Sequence, residues 1–438
     1  MEHGDVTYAR VGDHHIAFRE YVGGGAGDHE IVMVSGANFP MDSLLDDRIA
    51  SRLVEGLAGL GRLVVFDRRG IALSDPVTDW ETPLWEQWAE DLAAVVEASG
   101  CDRPTVFSWI AFPVARACSV QHPDRVGRLV LMNPRASFTE AEFELRDLMS
   151  QRFALLRSGD LGAVSDLVNP GRRDDPAHRS WSDAAGRAGA SPSLAARMMD
   201  KQLFDPPFDD RQVRVPTLLI SRRPGPDDGT GQLYRRVAQE IAHAEHVDLG
   251  LGDFFPVGAG VDDVLALISR YVTGEVRLPA PERQLAVIIF TDLVGSTRRA
   301  ISAGDRTWKR LLDHHDDVSR FEVTRRGGDV VKNTGDGVLA LMPSATGAIA
   351  AAEAIRSELG SDSLQVRTGV HIGEVDRRGN DVSGVAVNRA ARIMSTAAPG
   401  QIAVSEVVTH MTESVDYRSL GPTVLKDFDD TCELFEVL

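Results

Sequence analysis

A chain of 438 residues is too long for one small module, and 43% hydrophobic with 26% charged residues supplies a full core for each of two or three domains, which excludes global disorder. With 65 acidic against 47 basic residues the formal charge is −18, a surface that repels phosphate backbones and anionic headgroups, so nucleic acid is not expected as a partner. The apolar runs stop well short of the ~20 residues that cross a bilayer, the start Met-Glu-His-Gly-Asp lacks a secretory pattern, and Cys101, Cys118 and Cys432 offer neither a disulfide framework nor a CxxC site; the expectation is a cytoplasmic protein without membrane contact.

Through residues 1–272 short apolar strands at Glu30–Val34, Gly61–Phe66, Pro104–Phe107, Arg128–Met132 and Thr217–Ile220 alternate with helical patterns, the rhythm of a parallel sheet. Between 134 and 214 the rhythm stops, and a stretch rich in Ala, Arg, Asp and Leu reads as a helical cap over the strand ends. The runs Val65-Phe-Asp67-Arg-Arg-Gly70-Ile-Ala-Leu-Ser74-Asp75 and His122-Pro-Asp-Arg-Val126 resemble the α/β-hydrolases. That resemblance implies a nucleophile elbow, G-x-S-x-G, after the strand at Thr105. The chain instead reads Phe107-Ser108-Trp109-Ile110-Ala111, with Trp109 in the nucleophile's place, and Gly252-Asp253-Phe254-Phe255-Pro256, with Phe254 where the resemblance puts the catalytic histidine.

An indole and a phenyl ring neither attack an acyl carbon nor shuttle its proton, so a degenerate domain is expected. Ser108 should point away from the elbow tip. Asp227 and Asp228 stand near the acid position but lack partners, and His14, His15, His314 and His315 have no metal-site spacing and read as surface or packing residues. Two roles stay open. The aromatics Trp109, Phe112, Phe254 and Phe255 either fill the former pocket, leaving a dimerisation or interaction body, or line a site for an apolar ligand that regulates the rest of the chain.

Residues 273–283, with two prolines and several charges, read as an extended linker. Over 284–438 the order is a strand Leu285–Thr291, a helix Thr307–Arg325, a hairpin of Val330–Asn333 and Val338–Leu341, a helix Ala345–Leu359, a strand Gln365–Ile372, a helix Val385–Thr396 and further short strands. This βαββαβ order predicts a ferredoxin-like α+β domain. The fold class expected for the whole is therefore α/β, an N-terminal α/β-hydrolase-like domain with a helical cap followed by that α+β domain.

Chemistry concentrates in the second part. Asp292 ends the first strand and is followed by a small-residue turn, Val294-Gly295-Ser296-Thr297, suited to phosphate; Asp336 sits in the tight turn Thr334-Gly335-Asp336-Gly337. Two carboxylates on neighbouring strand ends suit magnesium, a hard cation that takes oxygen ligands. Asn388 and Arg392 lie four apart, on one helical face. Taken singly each has an ordinary reading, as a helix cap, a hairpin turn or a solvated face.

Together these pieces resemble the class III nucleotidyl cyclases over 284–438. The resemblance implies that Asp292 and Asp336, helped by the Leu293 carbonyl, hold two Mg2+ or Mn2+ ions, that Val294–Thr297 cradle the triphosphate, that Asn388 orients the ribose, and that Arg392 neutralises the transferring phosphoryl group. It makes Lys332 and Asp381 an adenine-selective pair, and it offers Lys426 as a phosphate contact, although Asp427 follows where relatives often have glycine. In this family the metal pair and the Asn/Arg pair come from different subunits, and one chain here holds both sets, which implies a homodimer. The reading is an adenylate cyclase acting on ATP. The alternatives are a cyclase of GTP or a pyrimidine triphosphate, a serine esterase with an appended regulatory cyclase domain, and a non-catalytic nucleotide sensor.

Overall fold

The computed structural model describes the chain apart from residues 24–26, 36–37, 110–112, 135–157, 159–160, 174, 224–229, 259, 280–281, 297–303, 362–363, 379–380 and 414, together with the side chains of 161–162, 203–204, 230, 282, 305–306, 361 and 378. Ile110, Ala111, Phe112, the first part of the cap, Asp227, Asp228 and Thr297 thus lie outside the described residues. The chain divides into two compact units, Met1–Pro279 and Ala280–Leu438.

The first unit is built on a sheet of nine described strands: β1 (Glu2–His3), β2 (Thr7–Val11), β3 (His14–Val22), β4 (His29–Ser35), β5 (Gly61–Phe66), β6 (Thr105–Trp109), β7 (Arg128–Met132), β8 (Thr217–Arg223) and β9 (Ala244–Leu251). The order is β1-β3-β5-β4-β6-β7-β8-β9, with β2 on β3. From β5 to β9 all neighbours are parallel, while β1, β2 and β3 pair antiparallel. A parallel sheet must be covered on both faces, and β6 is buried at every position.

Helices Leu84–Ser99 and Val114–Gln121 carry one core cluster, around Trp88, Leu92 and Val106; helices Arg48–Ala58 and Val261–Thr273 carry the other, around Leu53, Val65 and Leu265. The cap region contributes helices Leu161–Val168, Pro176–Gly189 and Pro192–Phe204. Chain direction across the sheet reverses at β4, whose neighbours are β5 and β6, the switch point at which ligands of such sheets bind. Trp109 closes β6 at that point.

The second unit is an antiparallel sheet with helices. Its strands are β10 (Glu282–Leu293), β11 (Asp329–Asn333), β12 (Val338–Met342), β13 (Val366–Arg378), β14 (Asp381–Ser383), β15 (Ile402–Ser405), β16 (Tyr417–Val424) and β17 (Thr431–Val437), ordered β11-β12-β10-β13-β15-β17-β16 with β14 on β13. Its helices Asp305–Thr324 and Ala345–Ser361 follow β10 and β12. Neighbours along β11-β12-β10-β13 are antiparallel, and β10, the first of them in the chain, is a central strand, the ferredoxin-like arrangement. β10 and β13 pair over their whole common length, and Asp292 falls opposite Arg367.

Candidate active site

Local sequence fixes the end of β10 against the β11–β12 turn. Gly335 stands at φ +101, which a side chain would strain, and the Thr334 N–H donates to the Gly337 carbonyl at 2.8 Å to close the turn. A Cβ on Gly337 would fall 1.9 Å from the Thr291 carbonyl oxygen, so only glycine lets the turn lie against β10. The Leu293 N–H donates to the Asp336 carbonyl at 2.9 Å and the Val338 N–H to Thr291 Oγ1 at 3.0 Å. Behind the strand, His315 is fully buried, with Nε2 3.3 Å from Thr291 Oγ1 and Nδ1 3.0 Å from Asp316, so it is a packing residue.

These contacts bring the carboxyl groups of Asp292 and Asp336 close enough to influence each other's charge. Burial raises the pKa of Asp292, Arg367 opposes the rise, and the Asp336 carboxylate adds to it. Arg367 Nε donates to Asp292 Oδ2 at 2.6 Å. Two neighbouring carboxylates, with the Arg367 guanidinium offsetting part of their repulsion, are a fitting seat for a divalent cation. Among the described residues no group of three or more His, Cys, Asp or Glu side chains converges. A cation here would therefore take two carboxylates and complete its shell with backbone, water or phosphate oxygens, a set that suits Mg2+ or Mn2+. In the turn beyond, Gly295 stands at φ +69 and the Val294 N–H is committed to the Gln365 carbonyl at 2.9 Å, leaving Gly295 and Ser296 as the amides a phosphate would meet.

Lys332 on β11 and Asp381 on β14 come from sequence positions 49 apart, yet Lys332 Nζ donates to Asp381 Oδ1 at 2.6 Å. Both are exposed at the sheet edge. Burial would raise the Asp381 pKa, but Lys332 and the Val382 N–H outweigh it and hold the carboxyl below its ordinary value. Asp381 opens the short strand β14.

Asn388 and Arg392 ride on the helix Val385–Thr396, which lies on β13 because two glycines leave room. A Cβ on Gly369 would meet the Met394 amide nitrogen at 2.3 Å, and one on Gly373 would meet the Ala386 Cβ at 2.6 Å. Asn388 is exposed and makes no side-chain hydrogen bond among the described residues. Arg392 Nη2 donates to Asp427 Oδ2 at 2.6 Å. Neither side chain bonds to Asp292 or Asp336 among the described residues, so one chain presents two separate groups. Lys426 is exposed on the β16–β17 loop. No local sequence pattern marks Arg367 or gives Asp427 a partner.

In the first unit the residues at the positions singled out by the hydrolase resemblance are packed against one another and the core. Trp109 is fully buried, its ring 5.3 Å from that of Phe255 and edge-on to it; Phe255 meets Phe39, and Phe39 meets Trp181 at 4.8 Å. Phe254 is anchored through its backbone, the amide donating to Val168 and the carbonyl accepting from Asn133 Nδ2 at 2.6 Å. Ser108 is fully buried and its hydroxyl has no partner among the described residues. One further constellation has a triad's composition: Ser165 Oγ lies 2.9 Å from His178 Nε2, and His178 Nδ1 lies 3.6 Å from Asp47. All three are buried, Ser165 sits inside a helix, and Asp47 is taken up by two Arg172 hydrogen bonds at 2.8 Å and by capping the helix Arg48–Ala58. The group ties the cap helices to the core.

Residues 278–433 match the family of adenylate and guanylate cyclase catalytic domains, so the carboxy-terminal unit is a class III cyclase-family domain. The chain is 30% identical over 158 residues to a putative adenylate cyclase 3 of Rhizobium meliloti (34% of this chain, 27% of that protein) and 35% identical over 118 residues to an adenylate cyclase of Streptomyces coelicolor (26% and 31%). It thus spans under a third of the length of these relatives. Among solved structures, the adenylyl cyclase CyaB from P. aeruginosa is similar over 36% of this chain and 96% of its own, with 19% identity and a TM-score of 0.35. The enol-lactonase from Burkholderia xenovorans LB400 is similar over 61% of this chain and all of its own, with 18% identity and a TM-score of 0.49. No helix among the described residues is long and apolar enough to cross a membrane.

Proposed function

We propose that the carboxy-terminal unit is an adenylate cyclase that converts ATP to 3′,5′-cyclic AMP and pyrophosphate as a homodimer. The observation that carries this reading is the pairing of Lys332 with Asp381, in a domain of the cyclase family that also holds Asp292 against Asp336. A lysine donor serves an acceptor nitrogen of the adenine ring while the carboxylate accepts from its exocyclic amine; guanine presents the reverse pattern. In the free protein the two groups neutralise each other and hold each other at the sheet edge.

Asp292 and Asp336, with the Leu293 carbonyl, are the residues that would hold Mg2+ or Mn2+. When bound, such ions supply charge neutralisation for the polyphosphate and favour ionisation of the ribose 3′-hydroxyl. Gly295 and Ser296 bind phosphate through their amides, Asn388 orients the ribose, and Arg392 faces the charge that develops as the 3′-oxygen attacks the α-phosphate. Lys426 lies one residue from Asp427, the Arg392 partner, and serves as an outer phosphate contact. Because Asn388 and Arg392 do not reach the carboxylate pair of their own chain among the described residues, a second copy supplies the complementary half. Residues 1–279 serve as a non-hydrolytic body ahead of the cyclase domain at 280–438; the linker expected at 273–283 is shortened at its end by β10, which starts at Glu282.

The purified chain incubated with Mn2+ and each of the four nucleoside triphosphates in turn, with products identified by mass, decides the matter. Cyclic AMP from ATP is expected. A preference for GTP or a pyrimidine triphosphate would overturn the assignment of Lys332 and Asp381, and no cyclic product from any of them would overturn the cyclase reading.

A further inference from the structure

Arg392 already has a carboxylate partner. Its Nη2 donates to Asp427 Oδ2 at 2.6 Å, and the residue before Asp427, Lys426, is the cation of that loop. Asp427 has φ +69, a conformation that glycine adopts without steric cost and that aspartate tolerates better than most residues. The turn therefore does not need a side chain here, and the one present goes to the guanidinium.

The loop is fixed by other means. Leu425 and Leu434 are buried, the Phe428 N–H donates to the Leu425 carbonyl at 3.1 Å, and Arg389 makes a two-pronged contact with Asp430 at 2.9 and 3.1 Å while lying 4.5 Å over the Phe428 ring. Arg389 and Arg392 leave the same helix and are held at two points of one loop, but only the Arg392 contact involves a group assigned to the reaction.

We propose that Asp427 is a positioning residue that latches Arg392 in the nucleotide-free protein and competes with the substrate's phosphates for it. This rests on the reading of Arg392 as the phosphoryl-facing cation. An incoming triphosphate must displace a carboxylate from the guanidinium and also approach that carboxylate's negative charge, so both effects oppose binding. The side chains of Arg392 and Asp427 are 39% and 60% exposed, and an ion pair this open to water is worth a factor of about two to five in an equilibrium. Asp427 therefore tunes affinity and does not block the site.

The test uses the full chain as wild type, Asp427→Gly, Asp427→Asn, Arg392→Ala and the Asp427→Gly/Arg392→Ala double variant. Calorimetry with inorganic tripolyphosphate and Mg2+ reads binding without chemistry, and ATP kinetics separate KM from kcat. Asp427→Gly should bind tripolyphosphate about two- to fivefold more tightly, Asp427→Asn should fall between it and wild type, and the gain should vanish when Arg392 is alanine. KM for ATP should fall in Asp427→Gly with kcat retained. Unchanged or weaker binding in Asp427→Gly, or a gain that survives the loss of Arg392, overturns the latch. If the binding pattern holds while no variant makes a cyclic product, the latch stands and the cyclase reading falls. If product forms but tripolyphosphate binds no better, the latch alone falls.

Discussion

Asp292 and Asp336 differ in how much of their surroundings already answers their charge. Arg367 offsets Asp292, while Asp336 reaches it only as a second negative group. Replacing either by alanine removes one of two hard ligands. Because even the outer partners of metal ligands cost about ten- to a hundredfold when removed, each replacement should lower cyclisation by at least about a hundredfold with the circular dichroism spectrum unchanged. Near-wild-type turnover in either variant would exclude the carboxylate pair as the metal seat. These two residues were legible in the sequence because short glycine-bearing motifs mark strand ends, and Lys332 and Asp381 were placed by their spacing from those motifs. Arg367 and Asp427 were not legible as partners of site residues. Each pairs across 75 and 35 residues respectively, through strand register and loop closure that no local pattern encodes.

At the scale of elements, the helix Val385–Thr396 was legible to its ends, since its apolar positions repeat with helical period between Gly384 and Ala397. Strand β13 was not: it was expected to stop at Ile372 but runs to Arg378, because the polar stretch Glu374–Arg377 gains order by pairing with the start of β10 and Asp376–Arg378 by pairing with β14. The antiparallel strands β1, β2 and β3 were likewise not anticipated, since a run such as His-His-Ile-Ala-Phe-Arg-Glu-Tyr-Val alternates poorly and becomes a strand by pairing with β1, β2 and β5. Inside β13, His371 sits beneath that helix with Nδ1 2.7 Å from Ser405 Oγ, and burial, reinforced by Arg389, lowers its pKa to about 4. The unfolded chain takes up a proton near 6.5 that the folded strand refuses until about 4. Stability from this group is thus complete above pH 6.5 and lost as pH falls through that window, by about 2 kcal/mol between pH 7.5 and 5. Hydrogen exchange of the β13 amides, corrected for intrinsic rates, should show that loss in wild type and a flatter response in His371→Gln, which keeps a partner for Ser405; equal slopes would remove His371 from the account.

On the scale of the whole molecule the two units carry unlike expectations. The first has the parallel sheet and switch point that the hydrolase resemblance implies, Trp109 and Phe254 stand where that resemblance puts the nucleophile and the base, and Asp47 of the buried Ser165–His178–Asp47 group is taken up by Arg172. It should neither hydrolyse short acyl esters nor be labelled by a serine-directed fluorophosphonate, since losing any triad member costs several powers of ten. Stoichiometric labelling of Ser108 or Ser165, located by peptide mass, would move the esterase alternative to the front.

The second unit should behave as half of a composite site. In one chain Asp292 and Asp336 form one group, and Asn388 with Arg392 form another on an exposed helix face, with no bond between the groups among the described residues. If a second copy completes each site, Asp336→Ala and Arg392→Ala break opposite halves. A mixed dimer then has one site carrying both defects and one carrying neither. After subunit exchange at equal concentrations about half the dimers are mixed by random pairing, and each has one intact site of two, so activity should recover to about a quarter of wild type from two nearly inactive proteins. Exchange is verified independently with two differently tagged chains. Silence from a mixture proven to have exchanged would mean that each chain builds its site alone, and the homodimer would lose its catalytic reason.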